Sequence, residues 1–132
     1  MLRIPQCGAF LRPRVACAAR SFFQMKHDIF KFARTEIPET VETVLRGRGG
    51  FRVERIRSEA YANGEWYDQS EDEFVMLLSG AATLEFESER VELSAGEWLV
   101  IRRHVRHRVA AVSAGSVWLA LFGDFDCPSV SL

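Results

Sequence analysis

The sequence predicts a single all-β domain, a sandwich or barrel of about seven short strands. Three features carry this prediction. Apolar and polar residues alternate with period two in one segment after another between Phe51 and Phe122. Turn residues (Ala62-Asn63-Gly64, Gly80, Ala95-Gly96) punctuate those segments at spacings of ~8–12 residues, as in all-β sandwiches and barrels. Between them no stretch carries a helical stripe, and no apolar run approaches the ~20 residues that cross a bilayer.

The elements follow in order. Residues 29–45 have a mixed pattern, and Pro38 would break any long helix there. The glycine-rich RGRGG (residues 46–50) reads as a flexible entry into the first firm strand, FRVERIRSE (residues 51–59). FVMLLS (residues 74–79) is an apolar run too short for a buried helix, and it ends at Gly80. ATLEFE then places Ala82, Leu84 and Phe86 on one face and Thr83, Glu85 and Glu87 on the other. RVELS points Val91 and Leu93 inward; EWLVI, HRVAAV and SVWLALF complete the set. The barrel core is expected over about residues 51–122, inside a domain of 25–132.

Composition narrows the function classes. The 132 residues suit one domain, with 48% hydrophobic and 27% charged residues, ordinary values for a chain with a real core. A net charge of -1 argues against bulk attraction to nucleic acid or to an acidic membrane surface. Cys7, Cys17 and Cys127 are odd in number and lack C-x-x-C spacing, so neither a disulfide framework nor a zinc ribbon is indicated. A reducing, cytoplasmic setting is the expectation. Residues 1–24 hold Arg3, Arg12, Arg14 and Arg20 and no acid, which leaves 13 basic against 18 acidic residues in the remainder. Such an arm reads either as a mitochondrial transit peptide or as a stretch upstream of a true start at Met25. In both readings it is a disordered extension outside the fold.

Two stretches could carry chemistry: GEWYDQSEDEFVMLLSG (residues 64–80) and GEWLVIRRHVRH (residues 96–107). Side chains two apart share a strand face, so Glu73 lies with Val75 and Leu77, and His107 with Val109 and Ala111. A carboxylate and an imidazole on apolar faces could converge inside a barrel, where a buried carboxylate needs a partner, either a cation or a metal.

These stretches resemble the two motifs of the cupin superfamily, G-x5-H-x-H-x3,4-E-x6-G and G-x5-P-x-G-x2-H-x3-N. Glu73 with Gly80 matches the end of the first; Gly96 and His107 match the second, with His104 at its glycine position. The H-x-H pair is absent. Four intervening residues place Trp66 and Asp68 there, three place Tyr67 and Gln69. Arg102 stands at the proline position and Ala111 at the final asparagine.

The resemblance implies a cupin-type double-stranded β-helix, a jelly-roll barrel, pairing as a homodimer. It also implies a divalent metal (Fe, Mn, Zn or Ni) held by His107, Glu73 and Asp68 or Gln69, with Tyr67, Trp66 and His104 as ligand-contacting residues and no nucleotide cofactor. Two functions stay open: a metal-dependent enzyme on a small organic acid or sugar-like substrate, and a metal-free module binding a small molecule. Glu73 could instead form a structural salt bridge, His107 a backbone-bonded core histidine, and Asp68 a solvated turn residue. The run RRHVRHR is expected to be a solvated face and no nucleic-acid patch, because neighbouring strands carry Glu85, Glu87, Glu89 and Glu92.

Overall fold

The structure, a computed structural model, describes residues 25–33, 37 and 39–126. It divides into two compact units, residues 1–31 and 32–132. Of the first, the described part holds a turn in which the Phe30 N–H donates to Asp28 Oδ1 at 2.9 Å and the Lys31 N–H to Asp28 O at 3.1 Å. The expectations for residues 1–24 lie outside the described residues.

The second unit is all β, as predicted. Nine strands run β1 (Glu39–Arg46), β2 (Arg52–Ser58), β3 (Tyr61–Ala62), β4 (Asp72–Ser79), β5 (Ala81–Phe86), β6 (Arg90–Ser94), β7 (Trp98–Ile101), β8 (His107–Val112) and β9 (Ser116–Gly123). They form two antiparallel sheets, one ordered β1-β2-β9-β4-β7 and the other β3-β8-β5-β6. No described helix is long and apolar enough to cross a membrane.

Both sheets feed one core. Val75 and Leu77 of β4, Ile101 of β7 and Trp118 of β9 meet Ala82 and Leu84 of β5, Leu93 of β6 and Val112 of β8. Leu77 is wholly buried, and truncating such a leucine to alanine typically costs ~2–5 kcal/mol through lost transfer and an imperfectly collapsed cavity. The alternation of ATLEFE and RVELS holds, with Ala82, Leu84 and Leu93 buried.

Two expectations need correction. Residues 39–46, read as mixed, form strand β1. Its sequence ETVETVLR repeats its valines three apart, and the pairing with β2 slips between Thr43 and Leu45, which breaks the period-two signal. An edge position leaves Val41, Val44 and Leu45 about half exposed, so no buried face imposes alternation. RGRGG is also no loose entry. It closes the β1–β2 hairpin through a 3-10 turn at Arg48–Gly50, with the Gly47 N–H donating to Phe51 O at 2.7 Å.

Asp72 ties the strand ends together. Wholly buried, it accepts the Arg103 N–H at 2.9 Å on Oδ1 and the Phe125 N–H at 3.1 Å on Oδ2, with the Arg103 guanidinium 3.3 Å from Oδ2. Those donated bonds hold its carboxyl well below the usual carboxylate range. The clamp fixes the chain just after β7 and just after β9, beside the strand that carries Glu73.

Candidate functional site

Between the sheets lies a cavity of about 220 Å³. Glu73 and Val75 of β4 line it with Ile101 of β7 and Trp118 and Phe122 of β9; Leu84 of β5 and His107 and Val109 of β8 face them. Strand β2 adds Glu54, Ile56 and Ser58, β1 adds Glu39 and Val41, and Tyr61, Tyr67 and Gln69 complete the wall.

Glu73 and His107 do converge. Both are more than nine-tenths buried, and Glu73 Oε2 lies 3.7 Å from His107 Nε2. The ring's other nitrogen, Nδ1, sits 2.8 Å from Val105 O. A carbonyl oxygen only accepts, so Nδ1 carries the proton, and in the neutral form of the ring Nε2 presents its lone pair to the cavity. Backbone pairing holds the ring in place, because the Tyr67 N–H donates to His107 O at 2.7 Å and the His107 N–H to Tyr67 O at 3.0 Å. The Gln69 amide Nε2 donates to Glu73 Oε2 at 3.0 Å, and the Gln69 carbonyl is itself pinned by the His104 N–H at 2.7 Å.

Burial is the main influence on Glu73 and pushes its carboxyl above the usual range, with the Gln69 amide and His107 pulling it back. Burial also raises Tyr61, to about 12, helped by the charge of Glu39; Tyr67 moves the same way through burial, Glu39 and Glu65. Glu39 is raised by burial alone.

Of the two residue pairs offered by the first motif, one lies at the cavity. Tyr67 and Gln69 face the cavity, while Trp66 and Asp68 do not line it. Asp68 is exposed and pairs with exposed His104 (Oδ1 to Nδ1, 2.8 Å). Trp66 lies under two guanidinium groups, Arg106 at 4.5 Å and Arg108 at 4.9 Å from its ring centroid. The expected metal ligand Asp68 and the expected ligand contacts Trp66 and His104 are therefore not brought to the cavity, because period two along residues 66–69 sends alternate side chains to opposite faces.

His104 has another part. Its φ is 61°, the left-handed region that glycine favours, and it stands where the second motif carries glycine. The partner expected for His107 also changes. Ala111 is exposed while Ala110 and Val112 are buried, because the pairing of β8 with β5 passes directly from Leu84↔Val109 to Thr83↔Ala111, leaving Ala110 as the extra residue of a bulge.

Sequence reading missed Glu39, Glu54, Ser58 and Tyr61. For β2 the signal was present: Glu54, Ile56 and Ser58 alternate with Val53, Arg55 and Arg57, but nothing in the sequence says which face turns inward. Glu39 was hidden with its strand.

The arginine run is neutralised where it stands. Arg108 meets Glu85 at 2.6 Å, Arg90 meets the same carboxylate at 3.2 Å, and Arg106 lies 3.9 Å from Glu87.

Comparison with known proteins agrees with this architecture. The family model for the cupin domain matches residues 52–122. A candidate mannose-6-phosphate isomerase from Ralstonia eutropha JMP134 is 34% identical, with a TM-score of 0.69 over 76% of this chain and 99% of that one. KdgF from a Halomonas species is 19% identical, with a TM-score of 0.60 over 73% of this chain and 89% of its own. An RmlC-like cupin from Shewanella frigidimarina is 18% identical, with a TM-score of 0.58 over 75% and 93%. No curated protein matches the sequence. With its two motifs carried on the strands that frame one cavity, the chain belongs to the cupin family.

Proposed function

We propose that the cavity binds one small polar organic molecule, recognised at the Glu73–His107 pair. The carrying observation is the pair itself. Two acceptors, a carboxylate oxygen and an imidazole lone pair, face each other at 3.7 Å in a buried site, with one amide donor between three polar side chains. A ligand bearing O–H or N–H groups would add donors to this acceptor-rich end, and bonds donated to a charged group are among the stronger ones. The 220 Å³ volume sits below the ~300–1,000 Å³ of drug-sized sites, which sets a small ligand. Val75, Leu84, Ile101 and Trp118 give the polar end apolar walls.

Trp118 lines the cavity and reports its occupancy. In a Trp66→Phe, Trp98→Phe background it is the sole tryptophan, since the chain has three. Titration with small hydroxyl- and amine-bearing compounds should give a saturable fluorescence change that His107→Ala and Glu73→Gln each weaken. A panel without any saturable response, or a response unchanged in both variants, would overturn the reading.

A second reading is a divalent metal on His107 Nε2, Glu73 and the side-chain amide oxygen of Gln69, favoured by the Val105 carbonyl that fixes the His107 tautomer as for metal-ligating histidines. The fit is partial, for among the described residues no group of three or more His, Cys, Asp or Glu could hold an ion. One imidazole with oxygen donors would make a hard, weak site. Elemental analysis of tag-free protein should find a stoichiometric divalent ion, lost in His107→Ala, if this reading holds; metal absent from replete preparations would sink it.

A further inference from the structure

Accepting that the cavity is a ligand site, its charge and donor pattern name the class of ligand. Three carboxylates line it, Glu39, Glu54 and Glu73, and none of the described lining side chains is Lys or Arg. They are not equivalent. Glu54 is answered by Arg52 at 2.9 Å, and Arg52 also meets Glu71 at 2.5 Å and lies 4.0 Å over the Phe122 ring. Its charge is thus spent on the strand surface, outside the lining. Glu39 at the rim and Glu73 at the buried end form no close ion pair with Lys or Arg among the described residues, and Arg52 acts on Glu73 only as a more distant charge.

A second feature points the same way. The His107 side chain is more than nine-tenths buried, its Nδ1 is used by Val105 O, and its Nε2 has no hydrogen bond and looks into the cavity beside Glu73. An occupant meeting both groups must donate hydrogen bonds and gains most if it is positive. Tyr61, Tyr67 and Trp118 add aromatic side chains to the same lining, and aromatic faces suit a cation. A phosphate or carboxylate would meet the like charges of Glu39, Glu54 and Glu73 in a lining that offers it hydroxyl and amide donors but no Lys or Arg. The sugar phosphate named for the Ralstonia eutropha protein is therefore a poor guide to this cavity.

We infer that the cavity takes a small primary ammonium compound, its N–H groups donating to Glu73 and His107, and discriminates against anions of the same size.

The test uses the full chain and a fragment set in three equal classes on shared skeletons: ammonium, neutral hydroxyl, and carboxylate or phosphate. Binding is read by NMR shifts of the Trp118 and Tyr67 rings. Ammonium fragments should bind at least about tenfold tighter than anionic ones of the same skeleton, the scale set by charge complementarity in a desolvated site. Glu73→Gln should erase most of that preference, and Glu39→Gln, a rim change that leaves the buried end intact, should reduce it several-fold. Anions binding as well as ammonium compounds, or a preference unmoved in both variants, overturns the inference. If neutral or anionic fragments fill the cavity and ammonium fragments do not, the class is wrong while the ligand site stands. If no fragment of any class binds, both fall.

Discussion

Tyr61 and Tyr67 are the two tyrosines of the chain, and both face the cavity. An ordinary phenol is half ionised at pH 10, the reference value for both. Burial and the neighbouring Glu39 charge oppose the phenolate, so both titrate higher, Tyr61 near 12. Near-UV absorbance of the native chain should therefore show little tyrosinate at pH 10, and Tyr61→Phe should remove the later step. Because the folded value is raised, the stability it confers is complete below pH 10 and lost as pH climbs through about 12. A native titration superimposable on the unfolded one would contradict the burial of Tyr61 and the influence of the Glu39 charge on both rings. His104 gives a backbone test at the same scale. Its left-handed φ should make His104→Gly more stable than His104→Ala by about 1 kcal/mol, since both lose the exposed Asp68 pair and only alanine keeps the steric cost. Denaturant melts of the two variants measure this. The reverse order would mean that the second motif is misaligned.

Strands and turns explain why the motif glycines stand where they do. Gly80 and Gly96 both have φ near 90°, yet they differ in surroundings. A Cβ on Gly80 would come within 2.1 Å of Ser116 Oγ and 2.8 Å of Ser116 Cβ, whereas one on Gly96 would meet open space. Gly96→Ala should cost ~1–2 kcal/mol, the left-handed penalty alone, and Gly80→Ala distinctly more; equal losses in thermal melts would refute the close packing of β4–β5 on the start of β9. The second half of the chain was legible at this scale because each strand there has one buried face, and burial writes period two into the sequence. Strand β1 was illegible for the converse reason, with an exposed edge and a slipped pairing. Legibility of the site split the same way. Glu73 and His107 stood out as polar residues opening apolar runs. The choice between the 66/68 and 67/69 pairs needed the backbone pairing of Tyr67 with His107, which spacing alone does not contain. Glu39 and Tyr61 reach the cavity from an unrecognised strand and from a two-residue strand too short to register.

Across the whole molecule, charge is managed locally. The basic run is matched by Glu85 and Glu87 on its own sheet, which fits a solvated outer face. The buried charge that matters for stability is Asp72, holding both chain segments that follow β7 and β9. Its depressed carboxyl contributes stability that is present above the ordinary value of 3.8 and is lost as pH falls below it. Acid should therefore erode the stability of the wild type progressively below that value, and Asp72→Asn, already weakened, should show a flatter acid limb. A limb of unchanged slope would place acid sensitivity elsewhere. Beside that clamp, the same β4 strand presents Glu73 to the cavity, so the rigid part of the fold and the acceptor pair share one element.

The account's central claim, that Glu73 and His107 are the recognition end of a ligand cavity, is tested most directly by a crystal structure of the chain grown with the compound that saturates Trp118. The account predicts a ligand donor within ~3 Å of both Glu73 Oε2 and His107 Nε2. A ligand seated instead on the outer face, against Trp66 or the Asp68–His104 pair, would contradict it.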